Sequence, residues 1–129
     1  MKTIALAVAG TVLATGAAAP AKSRDIPEAR ETGPAVDCIS TRNIRETRVR
    51  SDSIIDFRTS GNKWYRNTLP NSCPSLGFEE RFSYKTSTSQ LCSVDIIRVL
   101  QSFGGRLREG AGCGLGKFQP VEIAKKPAR

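Results

Sequence analysis

The sequence predicts a mainly β domain: a small antiparallel barrel or rolled sheet of five to six strands, stapled by two disulfides. Three observations lead there. Beyond residue 46, short runs alternate apolar and polar side chains between turns carrying Gly, Pro and Asn. Four cysteines, Cys38, Cys73, Cys92 and Cys113, all follow an export-type leader. The segment holding these runs is small enough that an exported domain of its size commonly needs covalent staples.

The leader comes first. Lys2 supplies a short positive start, residues 3–15 are apolar and uncharged, and small residues follow. This is the pattern of a cleaved secretory signal peptide, assigned to residues 1–21, with cleavage after Ala18 or Ala21. The apolar run is shorter than the roughly 20 residues needed to span a bilayer, and the most apolar later run, Val94 to Leu100, is broken by Asp95 and Arg98, so no membrane span is expected after cleavage. The expected location is the periplasm or the cell exterior. Residues 22–37 (KSRDIPEARETGPAVD) are charged, carry Pro27 and Pro34, and lack an apolar period, which reads as a flexible lead-in. Residues 38–123 form the single domain, and 124–129 a frayed tail.

Within the domain, Cys38 to Glu46 reads as a short helix or turn, with Ile39 and Ile44 covering one end of the barrel. TRVRSD (47–52) is a short strand. In SIIDFRTS (53–60), Ile55, Phe57 and Thr59 share one face while Ile54, Asp56 and Arg58 share the other. Ser60-Gly61-Asn62 turns the chain into KWYRNTL (63–69), where Trp64, Arg66 and Thr68 alternate with Tyr65, Asn67 and Leu69. Trp64 is expected in the core. PSLGFEE (74–80) allows one helical turn, with Phe78 plugging the barrel end. RFSYKTS (81–87) is a strand that offers Phe82 and Tyr84 to the core. LCSVDIIRVLQSF (91–103) fits a helical period at Val94, Ile97 and Leu100, but its Ile and Val content favours a strand to about Val99. Gly104-Gly105 and the stretch from Gly110 to Gly116 mark loops. KFQPVEI (117–123) is a last strand, placed by Pro120 at an edge or a bulge.

The cysteines read as staples. The intervening gaps are 34, 18 and 20 residues, and the chain has no histidine. Zinc sites need close Cys pairs or Cys/His clusters, and a catalytic thiol normally needs a histidine base, so neither a metal nor a cofactor is expected. An even count in an exported chain implies two disulfides in one of three connectivities. The expected pairing is Cys73–Cys92, closing a local loop, with Cys38–Cys113 tying the domain ends together.

Charge offers a second lead. Without Lys2, 19 basic residues face 12 acidic ones, a net of +7. Arg42, Arg45, Arg48 and Arg50 fall in one window, and Arg48 and Arg50 share a strand face. They form the candidate anion-binding surface, although Glu46 and Asp52 would offset part of the charge on an ordinary solvated face. Nucleic acid is not expected, because the chain is exported and carries no fingerprint of that recognition.

Catalysis has few routes. Without histidine, Ser-His-Asp and Cys-His arrangements and most metal hydrolase sites are out of reach. Adjacent Glu79 and Glu80 would point to opposite strand faces. Asp56 and Asp95 form a carboxylate pair that neighbouring strands could bring together for hydrolysis. GAGCGLGK (110–117) is followed by Phe118, which breaks the phosphate-loop spacing. The expectation is a protein without enzymatic activity.

The frame made by DFR (56–58), YRNTLP (65–70), CPSLGFEERFSYKTS (73–87), LCSVD (91–95) and GCGLGKFQPV (112–121) resembles a family of small exported bacterial proteins classed only as a domain of unknown function. The likeness covers about Cys38 to Val121. It implies an exported domain with these cysteines and brings no activity or ligand.

Three functions follow in order: a binding or structural module for an anionic component of the cell envelope, a protein-protein module such as an inhibitor of an acidic envelope-directed enzyme, and a small hydrolase using Asp56 and Asp95. An intact mass of the secreted protein, alkylated without reductant, is expected to show no thiol adducts and a start at Ala19 or Lys22. Two or four adducts would refute the stapled domain.

Overall fold

The structure is a computed structural model that describes residues 10–11 and 26–124. Apart from Gly10 and Thr11, the expected signal peptide lies outside the described residues, as do residues 22–25 and the tail beyond Ala124. The described residues hold ten strands: β1 (Ala29–Glu31), β2 (Cys38–Ser40), β3 (Ile44–Val49), β4 (Ile54–Thr59), β5 (Lys63–Thr68), β6 (Phe82–Tyr84), β7 (Gln90–Cys92), β8 (Ile96–Phe103), β9 (Arg106–Gly114) and β10 (Phe118–Ile123). One helical turn, α1 (Leu76–Glu79), and a 3-10 turn at Thr41–Asn43 complete the set.

The mainly β expectation holds, but the strands do not close a barrel of five or six. They form three antiparallel sheets, ordered β1-β10-β5-β4-β3, β2-β7 and β6-β8-β9. Edge strands β1 and β3 do not pair with each other, so the large sheet stays open. The run at 91–103 is strand, not helix, but Ser93 to Asp95 divide it into β7 and β8. Strands β3 and β2 occupy most of the stretch from Cys38 to Glu46 expected to be helix or turn.

The core lies between the sheets. Ile55 and Phe57 of β4, Phe118 of β10, Leu91 of β7, and Ile97 and Val99 of β8 are fully buried. Phe57 meets Phe118 and Phe82 edge-on, with ring centroids 5.4 and 6.2 Å apart, so it links the large sheet to β6. Phe82 and Tyr84 pack against this cluster as expected, and Ile39 and Ile44 also reach it. Phe78 does not plug an end: it is 82% exposed. In a single turn of helix only one side faces inward, and Leu76 takes that side.

The β4–β5 hairpin forms as its alternation requires. Thr59 pairs with Lys63, and Gly61 and Asn62 adopt positive φ in the three-residue turn between them. β3 carries a bulge between Ile44 and Glu46. The extra residue, Arg45, changes the phase of alternation, so that Ile44 and Val49 both face the core while Glu46 and Arg48 face the other way.

Two glycine and proline expectations are corrected. Gly110, Gly112 and Gly114 belong to β9, not to a loop, and Gln101, Arg98 and Ile96 of β8 lie across their bare face. β10 is interior, flanked by β1 and β5, despite Pro120. The carbonyl of Pro120 accepts the N–H of Thr32, so the missing donor of this residue also faces the short edge strand and β5 loses nothing. Gly116 follows β9 and is clamped by buried Asn67, whose amide donates to the Gly116 carbonyl and accepts its N–H, at 2.7 and 2.8 Å. A Cβ at Gly116 would collide with the Thr68 carbonyl.

The lead-in is not flexible throughout. β1 pairs with β10, Val36 exchanges two backbone hydrogen bonds with Phe118, and the Asp37 carbonyl accepts the Ser93 N–H. Backbone pairing at a sheet edge needs no apolar period, which is why the sequence pattern missed it.

The disulfides are Cys38–Cys92 and Cys73–Cys113, not the pairing expected. Cys38 and Cys92 are directly opposite residues of β2 and β7, a long-range pairing that outweighs the sequence proximity of Cys73 and Cys92. The second bridge ties the loop before α1 to β9. Non-reducing peptide mapping should return these two links, and a Cys73–Cys92 peptide would overturn the sheet arrangement. Replacing both Cys73 and Cys113 with alanine should cost about 4 kcal/mol in denaturant unfolding.

Candidate functional site

The large sheet has one face in the core and one face outside it. Strand register builds the outer face as two rows that run across the sheet. The first is Gln119 (β10), Arg66 (β5), Asp56 (β4) and Arg48 (β3); the second is Val121, Trp64, Arg58 and Glu46 in the same strand order. Directly opposite residues on one face contact each other, so this face sets arginines beside carboxylates.

Asp56 is the centre of the first row and has no exposed surface. Arg66 donates to it through two nitrogens, Nε to Oδ1 at 2.8 Å and Nη2 to Oδ2 at 3.0 Å. Arg50, just beyond β3, adds Nε to Oδ2 at 2.9 Å. Both arginines are mostly buried. Arg66 Nη2 also donates to the Pro27 carbonyl at 2.9 Å, so the segment before β1 closes over the cluster. A bidentate guanidinium with extra acceptors is the geometry that makes a buried ion pair tolerable.

Glu46 plays the same part in the second row. It accepts Arg48 Nε at 2.6 Å and Arg58 Nε at 3.1 Å. The hydrogen bond from Arg48, then that from Arg58, holds its carboxyl below the usual glutamate value. A lowered folded-state pKa adds stability that is present at neutral pH and is lost as the pH falls through that folded value.

Each carboxylate is therefore shared by two arginines, and each cluster keeps one excess positive charge. Beside them opens a cleft of about 1100 Å³, bordered by Arg48, Arg50, Lys63, Trp64, Val121 and Glu122. Trp64 is half-buried on this wall and not in the core as expected, because the hairpin register puts it opposite Arg58 and Val121.

Of the four arginines expected as one surface, the structure joins Arg48 and Arg50 at the cleft. Arg42 and Arg45 stand apart: Arg42 lies in the 3-10 turn and Arg45 is the bulge residue, whose Nη1 donates to the Arg42 carbonyl at 3.2 Å. Arg58, Arg66, Lys63 and Trp64 were missed as site residues. Their signal was present, since alternation places Asp56 with Arg58 and Trp64 with Arg66, and a three-residue turn then pairs 56 with 66.

Asp56 and Asp95 are not brought into one site. Asp56 is enclosed by Arg50 and Arg66, while Asp95 sits in the β7–β8 turn, where Oδ2 accepts the Cys92 N–H at 2.7 Å. Asp95 borders a separate cleft with Lys85, Arg98 and Glu109. Among the described residues, no group of three or more Cys, Asp or Glu side chains is placed to hold a metal ion, and no helix is long and apolar enough to cross a membrane. The two disulfides suit a non-reducing environment outside the cytosol. Compared with known protein families, curated proteins and solved structures, the chain matches none of them.

Asp56→Asn should destabilise the fold by about 3–5 kcal/mol, because two mostly buried guanidiniums lose their counter-charge. The measurement is urea unfolding at neutral pH, with Glu46→Gln, on the more exposed cluster, losing clearly less. Equal losses would contradict the difference in burial.

Proposed function

We propose that the protein is an exported, non-enzymatic binding module of the cell envelope that takes an anionic ligand in the cleft on the outer face of its five-stranded sheet. The observation that carries this reading is the pairing of two arginines with each of Asp56 and Glu46 along that face. The carboxylates fix the guanidiniums in place without cancelling them. Arg48 and Arg50 make these contacts through Nε, and the other guanidinium nitrogens are donors of the kind that phosphate or carboxylate oxygens accept. Lys63 adds an exposed charge at the rim, and Trp64 offers an apolar wall. Prepaid ordering of the side chains favours binding, since less freedom is lost when the ligand arrives. The leader of residues 1–21 and the two disulfides support export.

Trp64 is the single tryptophan of the chain, so its emission reports on the cleft directly. Titration with lipopolysaccharide, and with polyphosphate as a simpler polyanion, should give a saturable change at low salt that weakens as salt rises. Arg48→Gln combined with Lys63→Gln should weaken it about tenfold or more, the scale of losing one charge-assisted contact. No saturable change with either polyanion at low salt would sink the proposal.

A further inference from the structure

The β8–β9 hairpin outruns its sheet. β6 pairs with β8 only as far as Val99, and the Leu100 N–H makes the last bond to that side, with the Arg81 carbonyl. Beyond this point the chain continues as a two-stranded ribbon to a tight turn at Gly104-Gly105, both at positive φ, between the opposed residues Phe103 and Arg106. Every residue from Ser102 to Glu109 is exposed.

Two of these residues are large and apolar. Phe103 is 57% exposed and Leu107 is 55% exposed. Register places them on opposite faces of the ribbon: Phe103 is opposite Arg106, and Leu107 is opposite Ser102. Arginines accompany them. Arg106 and Arg108 share the Phe103 face, and the Arg108 guanidinium lies 5.9 Å from the Phe103 ring centre. Glu109 is the one acidic residue between Leu100 and Glu109.

We infer that this hairpin tip is a docking element for the interface of a bilayer rich in anionic phospholipid. A groove on a protein would cover one face of the ribbon and leave the other apolar residue in water. A bilayer interface surrounds a tip that enters end-on, so Phe103 and Leu107 are both sheltered. Arg108 stands two residues back from the level of Phe103, roughly 7 Å along the strand. That spacing suits an apolar tip sunk to the headgroup boundary with a guanidinium among the phosphates, its stem following the apolar surface. The net positive charge of the ribbon complements an anionic leaflet. The tip belongs to the three-stranded sheet and shares no residue with the cleft, so this surface goes beyond the ligand site proposed above.

The test is co-sedimentation of the full mature chain with vesicles of phosphatidylglycerol and phosphatidylcholine, against vesicles of phosphatidylcholine alone. Binding is expected to the anionic vesicles. Phe103→Ser with Leu107→Ser should weaken it at least about tenfold, the worth of burying a large apolar side chain, with an unchanged thermal midpoint. Arg106→Gln with Arg108→Gln should remove the preference for phosphatidylglycerol. The cleft variants Arg48→Gln and Lys63→Gln should bind vesicles as the parent does, and the tip variants should leave the Trp64 titration with polyphosphate unchanged, so either proposal can fail alone. No binding to anionic vesicles at low salt, or equal binding by the Phe103/Leu107 variant, would overturn the inference.

Discussion

A carboxylate with no exposed surface governs the outer half of the large sheet. Asp56 lies mid-strand on the face away from the core, a place where burial is costly unless the charge is fully partnered. Arg66 across β5 and Arg50 beyond β3 supply the partners, and Pro27 closes the remaining side. The cluster therefore joins β4, β5, the end of β3 and the segment leading into β1. Those same contacts hold Arg50 at the wall of the cleft. Stability of the sheet and shape of the candidate site thus rest on one set of hydrogen bonds.

The opposite face follows a simpler rule. Phe57 is central because two rings converge on it: Phe118 of β10, in its own sheet, and Phe82 of β6. Around that contact the three sheets are separate hydrogen-bonded units, and two covalent links add to what their hydrogen bonds hold. Cys38–Cys92 sits inside the smallest sheet and joins two strands of three residues each. Cys73–Cys113 joins an irregular loop to β9, whose glycines leave few side chains to hold it. A domain with a modest core gains from both staples, and Cys73 is itself part of that core.

How far the sequence reads depends on how local the cause is. The β4–β5 hairpin was legible because alternation and a Ser-Gly-Asn turn act within a few residues. So was the helical turn after Pro74, and so was the fate of all four cysteines as disulfides. Half of the candidate site was legible too, since Arg48 and Arg50 were expected together. Arg58 and Arg66 were visible only as members of alternating faces; their importance appears when Asp56 and Glu46 stand opposite them. Trp64 was misplaced because size alone argued for burial, while register sends it outward.

Other features have causes spread across the chain. β1 was unreadable because its partner, β10, is about ninety residues away and the bond is through backbone. The disulfide pairing followed the β2–β7 register and not the spacing of cysteines. The bulge at Arg45 reassigns the faces of β3 by one inserted residue, which no periodicity count detects. By itself, then, the sequence determined the β character, the oxidised cysteines, the basic charge and the turn between β4 and β5, because each arises from residue type or from neighbours along the chain. Only the tertiary structure decided which cysteines meet, which arginines share a carboxylate and which strands stand at an edge, because those are choices between partners far apart in sequence, settled by register and burial together.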